Sequence, residues 1–190
     1  MPSGPVRIAI ETDYPFADTF TITVAPERPS IFALLIRVPS WAERAEIRVD
    51  GDRIPAEPGT YARIEREWRE GDRVILSVPM APRLVHAART NVQESVAPDG
   101  ESVAQEVMNS KWVAVARGPL AYATGLIDGF RVGETIPLDG LLLNPVGERV
   151  ELQARDRPAI PLEPYYRAGG RHHGAWRLTW LDVAPEAVGA

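Results

Sequence analysis

The groups that could do chemistry are few and badly spaced for it. A glycosidase of the usual kind sets two carboxylates across a cleft, and Glu65, Glu67 and Glu70 are candidates in one segment. They fall on a strand and its following turn, where a solvated face accounts for them better than a cleft does. His172 and His173 are adjacent, so on an extended backbone they point opposite ways, and no third metal ligand accompanies them. His86 stands alone and is expected to be a hydrogen-bonded structural residue. Asp13 and Asp18 flank an aromatic-rich turn and could hold calcium with backbone oxygens, although aspartate is also an ordinary turn former. The chain has no cysteine, which removes thiolate zinc sites and disulfides. The expectation is therefore no catalytic residue, no metal and no cofactor.

Aromatic residues offer a second kind of chemistry, because a flat ring can take the apolar face of a sugar while polar neighbours hold its hydroxyls. Tyr165, Tyr166, Arg167 and Trp176 are the candidate carbohydrate-binding residues. Trp176 and Trp180 share a parity that suits either a binding platform or a core layer.

Composition narrows the partners. The 190 residues carry a formal charge of -5 and are 45% hydrophobic, enough for a real core but wrong in sign for a phosphate backbone. No basic stripe is present, and with Lys111 the only lysine nearly all positive charge is arginine. No apolar run approaches the roughly 20 residues of a membrane span, and MPSGPVRIAI is not a secretion signal,. Neither nucleic acid nor membrane is expected as a partner, and the chain as encoded is expected in the cytoplasm.

The elements that must position these groups read as short alternating strands between turn residues, the pattern of an antiparallel sandwich. Val6, Ile8 and Ile10 alternate with Arg7, Ala9 and Glu11, and Phe20, Ile22 and Val24 with threonines. Ile31 to Val38 is nearly all apolar and reads as a central strand. Asp50-Gly51 predicts a tight hairpin turn, after which Ala62, Ile64, Arg66 and Trp68 share a face, followed by Val74, Leu76 and Val78. Lys111 to Gly125 gives two strands across Gly118-Pro119, with Arg117 expected to hold that turn. A strand near Arg149 to Ala154 and a last one from Trp176 to Val183 complete the pattern. The fold class is all-β: two antiparallel, jelly-roll-like β-sandwich domains in tandem, residues 1–86 and a loop-rich 111–190. Residues 87–110 form the connection, with room for one short helix over Glu101–Ser110.

The ordered series Tyr14-Pro15-Phe16, Ile36-Arg37-Val38-Pro39-Ser40-Trp41, Val49-Asp50-Gly51, Gly71-Asp72-Arg73-Val74, Pro79-Met80, Ala116-Arg117-Gly118-Pro119-Leu120 and Tyr122, with Pro164-Tyr165-Tyr166 and Trp176 through Trp180-Leu181 near the end, resembles the C-terminal β-sandwich portion of glycoside hydrolase family 127, the bacterial β-L-arabinofuranosidase family. The resemblance implies that chemistry belongs to a preceding helical barrel with zinc-bound cysteines and a glutamate, none of which carries over here. Where the family commonly has a cysteine soon after the Arg-Gly-Pro tyrosine, this sequence has Ala123-Thr124. The implied function is a non-catalytic accessory portion that supports a helical-barrel catalytic domain or subunit. The alternative is an independent carbohydrate-binding module, and a third reading is an enzyme with its own site; if a barrel normally covers one face, the isolated chain is expected to expose an apolar patch there and to form a homodimer through it.

Overall fold

The computed structural model describes residues 4–125, 130, 133–168 and 177–184, the side chains of 105–109 excepted. All the named strand pairs are antiparallel, and the described residues contain no helix. The chain is all-β and sandwich-like, as the alternation predicts. It divides into two compact units, Met1–Ala81 and Pro82–Ala190.

The first unit holds seven strands: β1 (Val6–Glu11), β2 (Thr19–Pro26), β3 (Ser30–Arg37), β4 (Glu46–Val49), β5 (Asp52–Ile54), β6 (Tyr61–Trp68) and β7 (Asp72–Ser77). A five-stranded sheet in the order β1-β2-β7-β4-β5 faces a two-stranded sheet, β3-β6. Period-2 alternation fills the space between them. Ile22 and Val24, Ile47 and Val49, Val74 and Leu76 come from the larger sheet, and Ile36, Ala62, Ile64 and Trp68 from the smaller. The β4–β5 turn has positive φ at both Asp50 (51°) and Gly51 (93°), the two-residue hairpin geometry that Asp-Gly favours. Trp68 is fully buried and its indole N–H donates to Phe32 O at 3.0 Å, so its one polar atom is satisfied.

The apolar run in β3 is not a central strand. Its single neighbour among the described residues is β6, and its outward row pairs with charged residues: Ile31 with Glu67, Ala33 with Glu65, Leu35 with Arg63. Ile31 and Leu35 remain exposed. An unbroken apolar run looks the same whether its second row is buried or open.

The second unit opens with β8 (Pro82–Val96) and β9 (Ser102–Arg117), paired from Pro82–Arg117 to Val96–Ser102 with a register shift at Asn91/Val92. This ribbon replaces both the connection expected over 87–110 and the short helix over Glu101–Ser110. The boundary between units falls accordingly at Ala81/Pro82. The Pro98-Asp99-Gly100 cluster punctuates the chain as a hairpin tip, with Gly100 at φ 89°, and the polar residues around it lie on a solvated ribbon where no apolar alternation is needed.

From β9 the chain turns at Gly118-Pro119 into β10 (Leu120–Gly125). Gly118 has φ 54°, which suits the first central position of a type II′ hairpin turn, where glycine is favoured, and Pro119 fixes its own φ at a negative value in the second. β11 (Leu142–Val146), β12 (Arg149–Gln153) and β13 (Ile160–Pro164) extend the sheet on the far side of β10. The expected last strand is two short ones, β14 (Arg177–Leu178) and β15 (Leu181–Asp182), separated by a bend that leaves Trp180 exposed. The β9–β10 ladder pairs Arg117 with Leu120 and Val115 with Tyr122. Beyond that Val113 pairs with Leu181 and Thr124 with Leu178, so β14 and β15 take over where β9 and β10 part. Val113, Val115, Tyr122, Val150, Leu152, Ile160, Leu162 and Leu181 form the buried core together with Phe130 and Ile136.

Replacing Trp68 with alanine removes the largest buried side chain of the first core and is expected to cost about 3–5 kcal/mol. Urea unfolding of wild type and variant, compared by midpoint and slope, checks it.

Candidate functional site

Tyr165, Tyr166 and Arg167 occupy the turn that leaves β13. Pro164 O accepts the N–H of Arg167 at 2.8 Å and of Ala168 at 3.1 Å, while Tyr165 N–H donates to Ala121 O of β10 at 2.9 Å. Those bonds and the buried Ala168 methyl anchor the backbone and leave both rings in solvent, Tyr165 50% and Tyr166 54% exposed. Each ring carries a guanidinium. Arg167 lies over Tyr166 with its carbon 5.6 Å from the ring centre, and Arg177 over Tyr165 at 5.3 Å, within the range of a cation–π contact.

Beside this turn is a cleft of about 460 Å³ lined by Val146, Glu148, Arg149, Glu163, Pro164 and Arg167. Two ion pairs organise it. Arg167 is bound to Glu148, and Arg149 Nη2 lies 2.8 Å from Glu163 Oε1. Arg149 and Glu163 stand opposite one another, one step beyond the Val150–Leu162 pair of the β12–β13 ladder. The cleft thus presents carboxylate acceptors and guanidinium donors, and one of its lining residues, Arg167, also carries the Tyr166 ring. That set suits a polyhydroxylated ligand. Sequence reasoning found Tyr165, Tyr166 and Arg167 but missed Glu148, Arg149 and Glu163, which only strand pairing brings together. Trp176, with His172 and His173, lies outside the described residues.

A buried bond underpins this corner. Tyr122 is fully buried and its hydroxyl donates to Glu148 O at 2.8 Å. Burial raises the Tyr122 phenol above its ordinary value, with Arg117 beside it pulling the other way. Arg117, expected to hold the Gly118-Pro119 turn, reaches out to a different one. Its Nη1 donates to Gly147 O at 2.7 Å, and Arg83 is the residue that reaches Gly118 O, at 3.2 Å. Arg117 and Tyr122 together fasten the Gly147-Glu148 turn between β11 and β12.

The other candidates fall on ordinary structure. Glu65 pairs with Arg63 at 2.5 Å and Glu67 with Arg69 at 3.0 Å, all well exposed. The hydrogen bond from Arg63, helped by its charge, holds the Glu65 carboxyl below its usual range. Asp13 acts through its backbone, its carbonyl accepting from Phe16 and Ala17 at 3.0 and 3.1 Å, and Asp18 accepts from Thr19 Oγ1 at 3.2 Å. His86 is exposed on β8 opposite Val113, and no hydrogen bond to its side chain is seen among the described residues, contrary to expectation. Among the described residues no three His, Cys, Asp or Glu gather as they would around a metal, and no helix is long and apolar enough to cross a membrane.

Tyr122→Phe is expected to lower stability by about 0.5–1.5 kcal/mol at neutral pH. Because folding raises this phenol, the native state favours the protonated form, and stability is lost as pH climbs above about 10, the unfolded value. Urea unfolding at graded pH should therefore show wild type losing stability there faster than the variant, so that the gap between them narrows.

Residues 1–80 match the family model described as "Beta-L-arabinofuranosidase, GH127 middle domain". A comparison with curated proteins found no match. Among solved structures, one described as a glycoside hydrolase is 26% identical with a TM-score of 0.63, the likeness covering 95% of this chain and 32% of that one. A GH127 beta-L-arabinofuranosidase from Geobacillus stearothermophilus T6 is 22% identical with a TM-score of 0.59, covering 97% and 32%. A GH127 beta-arabinofuranosidase is 20% identical with a TM-score of 0.65, covering 94% and 32%. The chain spans about a third of the length of the structures it matches. With the middle-domain match on its first unit and the structural likeness running through both, the chain resembles the non-catalytic β-sandwich region of glycoside hydrolase family 127.

Proposed function

We propose that this chain is the accessory β portion of an arabinofuranosidase-like glycoside hydrolase, and that it supports a helical catalytic barrel or its assembly. One observation carries this reading: the likeness takes in 95% of this chain but 32% of the glycoside hydrolase it resembles at 26% identity. The chemistry of the chain agrees, since the cleft carboxylates Glu148 and Glu163 are each engaged by an arginine, and the strand carboxylates Glu65 and Glu67 are too. Each of these carboxylates is engaged by an arginine and not set across a cleft from a second, free carboxylate. The purified chain is expected to leave aryl arabinofuranosides intact. Turnover that survives repurification and disappears with one point mutation would overturn the reading.

Sugar binding without catalysis is the second reading, favoured by the cleft beside Tyr166 and Arg167. In it the tyrosine takes the apolar face of an arabinofuranoside and the ion-paired groups take its hydroxyls. Titrating the intact chain with arabinose and arabino-oligosaccharides should give saturable binding that Tyr166→Ala and Glu148→Gln each weaken. Binding unchanged in both variants would exclude this cleft.

A further inference from the structure

Among the described residues β1 is the end strand of its sheet, and β2 is its one partner. The way it points its backbone can be read from a single bond. Glu27 N–H donates to Pro5 O at 3.1 Å, one step before the Val6–Pro26 pair, and hydrogen-bonded pairs alternate along an antiparallel ladder. Arg7, Ala9 and Glu11 therefore turn their N–H and C=O toward β2, and Val6, Ile8 and Ile10 turn theirs outward.

The side chains divide the same way. Ile8 lies opposite Val24 and Ile10 opposite Ile22, so both belong to the core-facing row, yet they are 48% and 60% exposed while Val24 and Ile22 are buried. On the other face Arg7 and Glu11 are exposed, and neither has an ion-pair partner among the described residues.

We propose that β1 is a self-pairing edge on which a second copy of this chain docks antiparallel, with Ala9 on the two-fold axis. In that register the outward backbone groups of Ile8 meet those of Ile10 from the second copy, and the reverse pair forms as well. Each Ile8 side chain lies against an Ile10, and each Arg7 lies opposite a Glu11. A shift of two residues puts Arg7 opposite Ala9, or opposite Asp13 beyond the end of the strand, so only one register pairs both charges within β1. Charge on an edge strand normally discourages such pairing. Here the two signs, four residues apart, are complementary to their own two-fold copy. A ladder this short buries less than a standard interface, and the dimer is accordingly weak and in exchange with monomer. The proposal does not depend on the family reading.

Sedimentation velocity of the intact chain over a concentration series tests it. The expected result is reversible dimerisation, weakened about tenfold or more by Arg7→Glu and likewise by Glu11→Arg, since each sets like charges opposite one another twice. An equimolar mixture of the two variants should associate about as well as wild type, because an all-acidic edge then meets an all-basic one. A chain that stays monomeric at every concentration leaves this edge to a different protein and overturns the proposal. So does dimerisation indifferent to both substitutions, or a mixture no stronger than the variants alone.

Discussion

Two strands are asked to cover five. At about 4.8 Å between strands the β3-β6 sheet spans roughly 10 Å, while the sheet it faces spans roughly twice that or more. Much of the first unit follows from this mismatch. The cover must be bulky, which is why the smaller sheet contributes a fully buried tryptophan whose indole nitrogen is tied to its own sheet at Phe32. It also cannot extend everywhere. The rows of β2, β7 and β4 are sealed and that of β1 is not, so an inward-aimed strand ends up as surface.

The second unit meets a related constraint differently. Its core side chains come largely from strands of one sheet, and the ladder between β9 and β10 is given up after three pairs so that β14 and β15 can enter. Backbone groups freed by that divergence are taken by the short strands, and Lys111 O receives Val183 N–H at 3.0 Å. The exposed Tyr165-Tyr166 turn is held by main-chain bonds to Pro164 and Ala121. Its rings can therefore face solvent without loosening the frame.

What the sequence made legible was local. Asp50-Gly51 and Gly118-Pro119 announced their turns because their φ preferences are intrinsic, and the alternating rows of β2, β6 and β7 announced their inner faces. Three features were hidden for separate reasons. The β8–β9 ribbon has polar residues on both faces, so periodicity says nothing. β13 carries Pro161 and Pro164, which read as strand breakers, although the ladder accommodates both. The acceptor of Arg117 sits 30 residues away at Gly147, and the cleft needs Glu148, Arg149, Glu163 and Arg167 brought together by strand pairing. The tyrosines were found because exposed aromatic dipeptides in a turn are unusual on composition alone. Their charged neighbours had no such mark.

The ribbon has one more implication, for how sequences of this shape can vary. From Ser102 to Ser110, β9 pairs with β8 alone among the described residues, and no described side chain there belongs to the core of the unit. An antiparallel hairpin keeps its register when equal numbers of residues are gained or lost on both arms. Its length is therefore a free parameter, adjustable in steps of two per strand with every remaining side chain still on its original face. Relatives that share this frame are free to differ in reach while leaving the rest of the sheet as it is.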